Sequence, residues 1–452
     1  MRIASVWSIA ALTLSMLMAA GRSLGQDPSD TKPSELEKSA QAFVKLLEKG
    51  EFKKATKDFD ATMKEKMPPD KLEEVWKGLI QQVGPFKKQG GTRTQKVQGY
   101  DIVFVTCEFE KQTLVTRVVF NKDKQIAGLF FQAKKEAAAD YRAPAYVKRD
   151  LFHEQDLVVN AGDWPLPATL TVPNGDGPWP VAILVHGSGP QDRDETIGPN
   201  KPFRDLAWGL ASRGVAVLRY EKRTKAHPAR MAKEAEKLTT KEEVIDDVLA
   251  AVELVRKTPA IDPKRVYIIG HSLGGMCIPR IGTLDSNLAG LVALGGSTRP
   301  LEDVVVEQLD YILSLGDLSE QEKKETKDIR DKAADIRNRI KEGAALPAKL
   351  PLGFTAAYIT HLHSYNPTEV AKQLKQPMLI LQGGRDYQVT MQDFEGWRQA
   401  LVSHKNVTFK LYPNLNHLFA EGTGKAKPSE YEREGHVSAE VITDIADWIK
   451  RS

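Results

Sequence analysis

The chain has 452 residues, 41% of them hydrophobic and 27% charged, with 33 Gly and 25 Pro. That length suits two or three domains, and that composition excludes a collagen-like, coiled-coil or mostly disordered chain. Lys and Arg number 64 against 60 Asp and Glu, a net charge of +4 with no nucleic-acid footprint, and the two cysteines, Cys107 and Cys277, exclude a disulfide scaffold or a cysteine zinc site.

The N-terminus reads as a targeting segment. Arg2 supplies a positive start, Ile3 to Ala20 is apolar and uncharged, and Ser23 and Gly25 are small residues before the polar Gln26-Asp27-Pro28. This is the layout of a secretory signal peptide cleaved between Gly25 and Gln26 (domain 1–25). An uncleaved anchor is the alternative, since the run approaches the ~20 apolar residues of a span. No later run is long and apolar enough to span, so the mature protein is expected to be exported, periplasmic or extracellular, with no membrane span.

A polar linker covers 26–35. Helical spacing follows over Leu36 to Phe59 (Phe43, Leu46, Leu47, Phe52) and over Lys71 to Val83 (Leu72, Val75, Trp76, Leu79, Ile80). Asp101 to Phe109, Thr113 to Phe120 and Gln125 to Ala133 then read as strands separated by polar turns. Helices followed by three or four antiparallel strands make a small α+β domain over 36–135. Its order and pattern resemble the NTF2-like domain found in front of secreted α/β-hydrolases.

From Tyr141 the pattern changes. Short apolar runs at 166–172, 181–185, 214–220, 265–269, 288–294, 377–381 and 407–411 suit strands buried on both faces. Helical segments lie among them at 203–212, 240–257, 394–404 and 439–451. Alternation of this kind predicts an α/β domain over 141–452, with a mostly parallel sheet covered by helices. The interval 301–365 holds no strand pattern. Its charge and its stripe of Ile329, Ala333, Ile336 and Ile340 predict a helical insertion with a solvated outer face. Cys277 falls in a predicted buried helix, so two free thiols are expected.

The chemistry centres on Gly270-His271-Ser272-Leu273-Gly274, a G-x-S-x-G pattern between a strand and a helix. There the serine sits on a sharp turn at the carboxyl end of the sheet, and the glycines Gly270 and Gly274 remove Cβ atoms that would clash. Pro279 is expected to kink the helix that follows, by removing a donor toward Gly275. A serine needs a base, and His417 lies in a loop after the last strand. His436 is its rival, while the side chain of His271, beside the nucleophile, is expected to point away. The base needs a carboxylate. Asp386 directly follows the strand at 377–381, so it shares the sheet edge with Ser272; Asp393 is the rival acid. His186-Gly187-Ser188-Gly189-Pro190 follows another strand and offers an oxyanion hole from the backbone N–H of Ser188, or of Gly187, together with that of Leu273. His186, Gly187 and Gly189 support it. The Asp192-Arg193-Asp194-Glu195 stretch reads as a solvated or salt-bridged loop rather than a metal site.

These stretches resemble the α/β-hydrolase superfamily, in particular its secreted esterases and serine-aminopeptidase-like members with a helical cap. The resemblance covers about Tyr141 to the C-terminus. It implies a Ser272–His417–Asp386 acyl hydrolase that forms an acyl-enzyme, with no cofactor and no metal. Dehalogenases and epoxide hydrolases of that fold carry an aspartate where Ser272 stands. The expected partner is a small-molecule ester substrate, with a peptide substrate as the alternative and a non-catalytic binding protein as the third reading; partner proteins are left open.

Overall fold

The computed structural model describes residues 34–97, 100–133, 141–347 and 350–452. The targeting run and its cleavage site lie outside these residues. The backbone divides into two compact units that meet in sequence between Asp140 and Tyr141.

The N-terminal unit pairs helices with a four-stranded antiparallel meander: β1 (Phe86–Val97), β2 (Tyr100–Phe109), β3 (Thr113–Phe120) and β4 (Ile126–Ala133), in that spatial order. The single helix expected over Leu36 to Phe59 is broken. It runs from Glu35 to Glu48, under a Ser34/Glu37 capping box, and resumes as a short turn at Phe52–Ala55. Gly50 causes the break, because its φ of +69° is a left-handed conformation that ends a helix. The helix at Pro69–Val83 brings Trp76 onto Phe86, Phe109 and Phe131. Strand β1 carried no sequence signal. It is a polar edge strand with Gly90 and Gly91 in its middle, and edges are not obliged to be apolar.

In the second unit, β5 (Phe152–Ala161), β6 (Trp164–Pro173), β7 (Trp179–Val185), β8 (Ala216–Tyr220), β9 (Ile261–His271), β10 (Gly290–Leu294), β11 (Met378–Gly383) and β12 (Val407–Tyr412) form one sheet. The spatial order is β12-β11-β10-β9-β7-β8-β6-β5. All neighbours are parallel except β6, which is antiparallel to both β5 and β8. Alternate residues of β7 enter opposite cores. Val181, Ile183 and Val185 join the face covered by the helices at 246–256, 273–284 and 391–401, and Ala182 and Leu184 join the face under those at 202–211 and 439–451. Burial on both faces explains why these strands read as unbroken apolar runs. Strand β5, an edge, gave no such run.

The interval 301–365 is helical, with helices at Leu301–Ser314, Glu320–Lys341 and Ala356–His363. Ala333 and Ile336 are buried as the stripe required, and Ile329 and Ile340 are half-buried. The insertion leaves the carboxyl end of β10 and returns to β11. Its first helix lies against the loop after β11: Gln308 donates to the Gln388 carbonyl at 2.8 Å, and Tyr311 stacks on Tyr387 with ring centroids 5.0 Å apart.

Pro279 lies inside the helix Leu273–Leu284, which continues past it, and beside it a side chain from outside enters the helical ladder. The Tyr365 hydroxyl accepts from the Arg280 N–H at 3.3 Å and donates to the Met276 carbonyl at 3.0 Å, standing where a helical bond would run.

Candidate active site

Ser272 sits between β9 and the helix Leu273–Leu284 with φ +53° and ψ −115°. A non-glycine residue held there is strained, and such strain persists only where the surroundings impose it. They do so by close backbone approach. A Cβ on Gly274 would lie 2.2 Å from the Val185 carbonyl oxygen, and one on Gly270 would lie 2.4 Å from the Gly274 carbonyl. The serine is half-buried at the sheet's carboxyl edge, and its N–H donates to the Leu294 carbonyl at 2.9 Å.

Leu294 ends β10, and the next residue faces the other two candidates. His417 Nδ1 lies 2.6 Å from Asp386 Oδ2, with both side chains buried. A Cβ on Gly295 would stand 3.2 Å from that carboxylate oxygen and 3.4 Å from that ring nitrogen, a tight fit against the pair at a φ of +55° that already favours glycine. Asp386 Oδ1 accepts the N–H groups of Gln388 and Val389 at 2.8 and 2.9 Å, which fixes the carboxylate. With Nδ1 held by Asp386, the Nε2 of His417 is the nitrogen left for proton transfer.

Both rivals belong elsewhere. Asp393 is fully buried and binds Ser297, Thr298 and Arg299, pinning the start of the cap. His436 Nδ1 faces a different carboxylate, Asp205, at 3.2 Å.

The loop after β7 departs from expectation at Gly187. Its N–H, the alternative to that of Ser188 as oxyanion donor, donates to Glu195 Oε1 at 2.7 Å. A Cβ on Gly187 would lie 3.2 Å from the Ser272 Cβ, so this loop adjoins the serine. Gly189 takes φ +85°, as a tight turn requires. His186 is buried against Phe203 and Tyr220. Burial pushes its imidazole down to about 4, so it is neutral, and Nε2–H donates to the Asp192 carbonyl at 3.0 Å. In Asp192 to Glu195 the salt bridges are present: Asp194 binds Arg204 at 2.6 Å, and also Arg219. Yet Asp194 and Glu195 are buried, not solvated. No cluster of metal-ligating side chains occurs among the described residues.

His271 corrects the expectation that it points away. Its ring packs on that of His417 with centroids 4.6 Å apart, its Nε2 lies 3.0 Å from the His417 carbonyl, and its Nδ1 lies 2.8 Å from Glu195 Oε2. Burial disfavours the His271 imidazolium, but the Glu195 carboxylate outweighs burial and holds the ring above the ordinary 6.5. Burial likewise opposes the Glu195 charge, and His271 outweighs it, holding the carboxyl below its ordinary 4.5. Asp386, His186 and the backbone of His417 and Gly187 complete the surroundings of the pair. The stabilisation from raised His271 is full below about pH 6.5 and is lost as pH rises through the raised value. That from lowered Glu195 is full above about pH 4.5 and is lost as pH falls through the lowered value. Glu195→Gln is expected to cost about 3–5 kcal/mol, as breaking a buried pair does. Thermal unfolding from pH 5 to 9 should show wild type losing its advantage over the variant on the alkaline side. An advantage that instead grows above pH 8 would rule out the charged pair.

A family model described as "Serine aminopeptidase, S33" matches residues 200–421, a span that holds Ser272, Asp386 and His417. A second, described as "Protein of unknown function (DUF3887)", matches residues 40–129 in the NTF2-like N-terminal unit. Esterase EstD of Thermotoga maritima is 38% identical over 416 residues, covering 91% of this chain and 95% of its own. Est1E from Butyrivibrio proteoclasticus aligns over 66% of this chain and 99% of its own, at 14% identity and a TM-score of 0.44. A hyperthermophilic esterase from the archaeon Pyrobaculum calidifontis aligns over 66% of this chain and 85% of its own, at 14% identity and a TM-score of 0.43. With the strand order, the serine turn and a relative of this identity over nearly its full length, the chain belongs to the α/β-hydrolase superfamily, in the esterase family that includes the Thermotoga maritima protein.

Proposed function

We propose that Ser272, His417 and Asp386 form the catalytic triad of this carboxylic ester hydrolase and that it works through an acyl-enzyme. The observation that carries the reading is the buried 2.6 Å contact of His417 Nδ1 with Asp386, next to a serine held at positive φ on the same sheet edge. His417 Nε2 takes the Ser272 proton as the oxygen attacks the ester carbonyl. The N–H groups of Ser188 and Leu273 receive the oxyanion, and the first turn of the helix behind Ser272 favours that negative charge. His417 then returns the proton to the departing alcohol, and a water repeats the sequence to release the acid.

Peptide cleavage is the second reading, favoured by the name of the matching family model. An aminopeptidase needs uncommitted carboxylates to hold a substrate ammonium. In the cap, Glu302, Glu307 and Asp310 already face His363, Arg299 and Arg330. That supports esters over peptides. The test is a panel of p-nitrophenyl esters of rising chain length beside aminoacyl anilides. Turnover of the anilides at ten or more times the ester rate would sink the ester reading.

The cap is proposed to set chain-length preference, because its first helix packs on Tyr387 and Gln388 beside Asp386. Tyr311→Ala is expected to shift the ratio of kcat/KM between long and short esters by about tenfold, the size of a pocket contact or two. The rate on p-nitrophenyl acetate should move less than about threefold by the same logic. An equal loss on every ester would mean that the cap supports the core instead.

Export is proposed from Arg2, the apolar run Ile3 to Ala20 and the small residues Ser23 and Gly25. N-terminal sequencing of protein from its native host should begin near Gln26. Soluble cytoplasmic protein that retains Met1 would overturn this.

A further inference from the structure

Gly187 lies between two buried charges of opposite sign. Its N–H donates to Glu195 Oε1 at 2.7 Å, and its carbonyl accepts from Lys222 Nζ at 2.8 Å. Lys222 follows β8 and is 2% exposed. Its ammonium also lies 2.6 Å from Glu243 Oε1, and Glu243 Oε2 accepts the Tyr358 hydroxyl of the cap at 2.6 Å. Glu243 stands on a widened helical turn at Lys241–Ile245, where the Asp246 N–H reaches back to the Lys241 carbonyl. Such widened turns recur at functional sites. The triad mechanism uses none of Lys222, Glu243 or Glu195. A buried lysine–glutamate pair is by itself weak evidence of a stabilising role, since apolar residues of similar volume often replace one without loss.

The Gly187 carbonyl and the Ser188 N–H belong to one peptide group. In a trans peptide the two point in opposite directions, so whatever holds the carbonyl also aims the N–H. A cation on the carbonyl draws electron density from the amide and strengthens its N–H as a donor, because bonds in a chain polarise one another in a low-dielectric interior. Glycine has no Cβ to resist rotation of the flanking peptides, and Glu195 blocks that rotation from the other side by holding the preceding N–H.

We propose that Lys222 is a positioning residue for ester hydrolysis: its ammonium, on the Gly187 carbonyl, aims and polarises the Ser188 N–H toward the oxyanion, with Glu195 as the opposing clamp and Glu243 as the counter-charge. This rests on the reading of Ser188 as an oxyanion donor. The contact acts on charge that develops only in the tetrahedral state, so its loss should appear in kcat rather than KM.

The test compares three variants of the full chain: Lys222→Met/Glu243→Gln, which removes both charges together, Glu243→Gln alone, and Lys222→Arg. Active sites are counted by fluorophosphonate labelling of Ser272, so every rate is per competent serine. The double variant is expected to lose about 10²–10³ in kcat, the range seen when an oxyanion donor is removed, with KM within about threefold. Its affinity for an aryl trifluoromethyl ketone, which forms a tetrahedral adduct on a serine, should fall by the same factor as kcat. Glu243→Gln keeps the ammonium on Gly187 and should lose far less. If the double variant does not fold, Lys222→Arg supplies the measure: its losses in kcat and in ketone affinity should match each other.

Equal losses for Glu243→Gln and the double variant would overturn the proposal, leaving Lys222 as one half of a structural ion pair. So would ketone affinity that stays constant while kcat falls. Failure of the triad reading looks different: Ser272→Ala would keep its turnover whatever the Lys222 variants do.

Discussion

Ser272→Ala should abolish fluorophosphonate labelling and lower kcat on p-nitrophenyl acetate by on the order of 10⁶, leaving the small catalysis that binding and an oxyanion hole give alone. The reason is positional. The turn at Ser272 and the glycines Gly270, Gly274 and Gly187 present its hydroxyl at the sheet edge. His417→Ala should cost a comparable factor, because members of a triad act as a unit and their losses do not add. Asp386→Asn keeps the shape of the acid but cannot hold the His417 tautomer with Nδ1 protonated, and should cost on the order of 10⁴ by analogy with the serine-protease case. The contrast with His436→Ala is decisive. That residue pairs with Asp205 and not with Asp386, so its loss should leave labelling intact. Labelling that vanishes in His436→Ala and survives in His417→Ala would reverse the assignment of the base.

The second large effect concerns stability. Gly274→Ala should prevent folding of the 141–452 unit or destabilise it by more than about 4 kcal/mol, the exceptional end of single substitutions. The added methyl carbon would lie 2.2 Å from the Val185 oxygen, 2.8 Å from its carbonyl carbon and 2.9 Å from the His186 oxygen. All three atoms are backbone at the end of β7, so no side chain can turn aside. Gly78→Ala is the control. Gly78 lies within the helix Pro69–Val83, with nothing near the position of a new Cβ, and the change should stabilise by about 0.5–1 kcal/mol through helix propensity. Soluble yield and denaturant unfolding distinguish the two. Gly274→Ala protein with a wild-type midpoint would refute the close approach of the first turn of the helix Leu273–Leu284 to the end of β7.

The sequence made the sheet legible where burial is two-sided. Strands β7 to β11 are covered on both faces, so their apolar runs stand out whatever their partners. Strands β1 and β5 border solvent, and the polar residues and glycines tolerated there erased the signal. The same limit broke the first helix: its apolar spacing continues across Lys49 and Gly50, and only the backbone freedom of Gly50 ends it. Ser272, Asp386 and His417 could be found because each stands in the turn or loop that follows a strand, and chain order fixes the edge they share. Glu195, His271 and Lys222 could not, since their partners come from other strands and loops. Glu195 looked like one more charge in an acidic loop, and His271 looked like a strand residue facing away until the His417 loop folded over its ring. The one available hint was the position of Glu195, a carboxylate on the same loop as the glycine that adjoins the serine.

Each unit also holds one buried thiol. Cys107 lies in the core of the N-terminal unit, with its sulfur 3.3 Å from the Thr116 hydroxyl, and Cys277 lies in the helix behind Ser272, where burial pushes it up to about 12. A buried, protonated thiol does not react with alkylating or disulfide reagents until its surroundings open. The two sulfurs therefore act as separate internal clocks. The rate at which each is capped by a maleimide in native buffer reports how often its own unit opens, and one mass spectrum reads both.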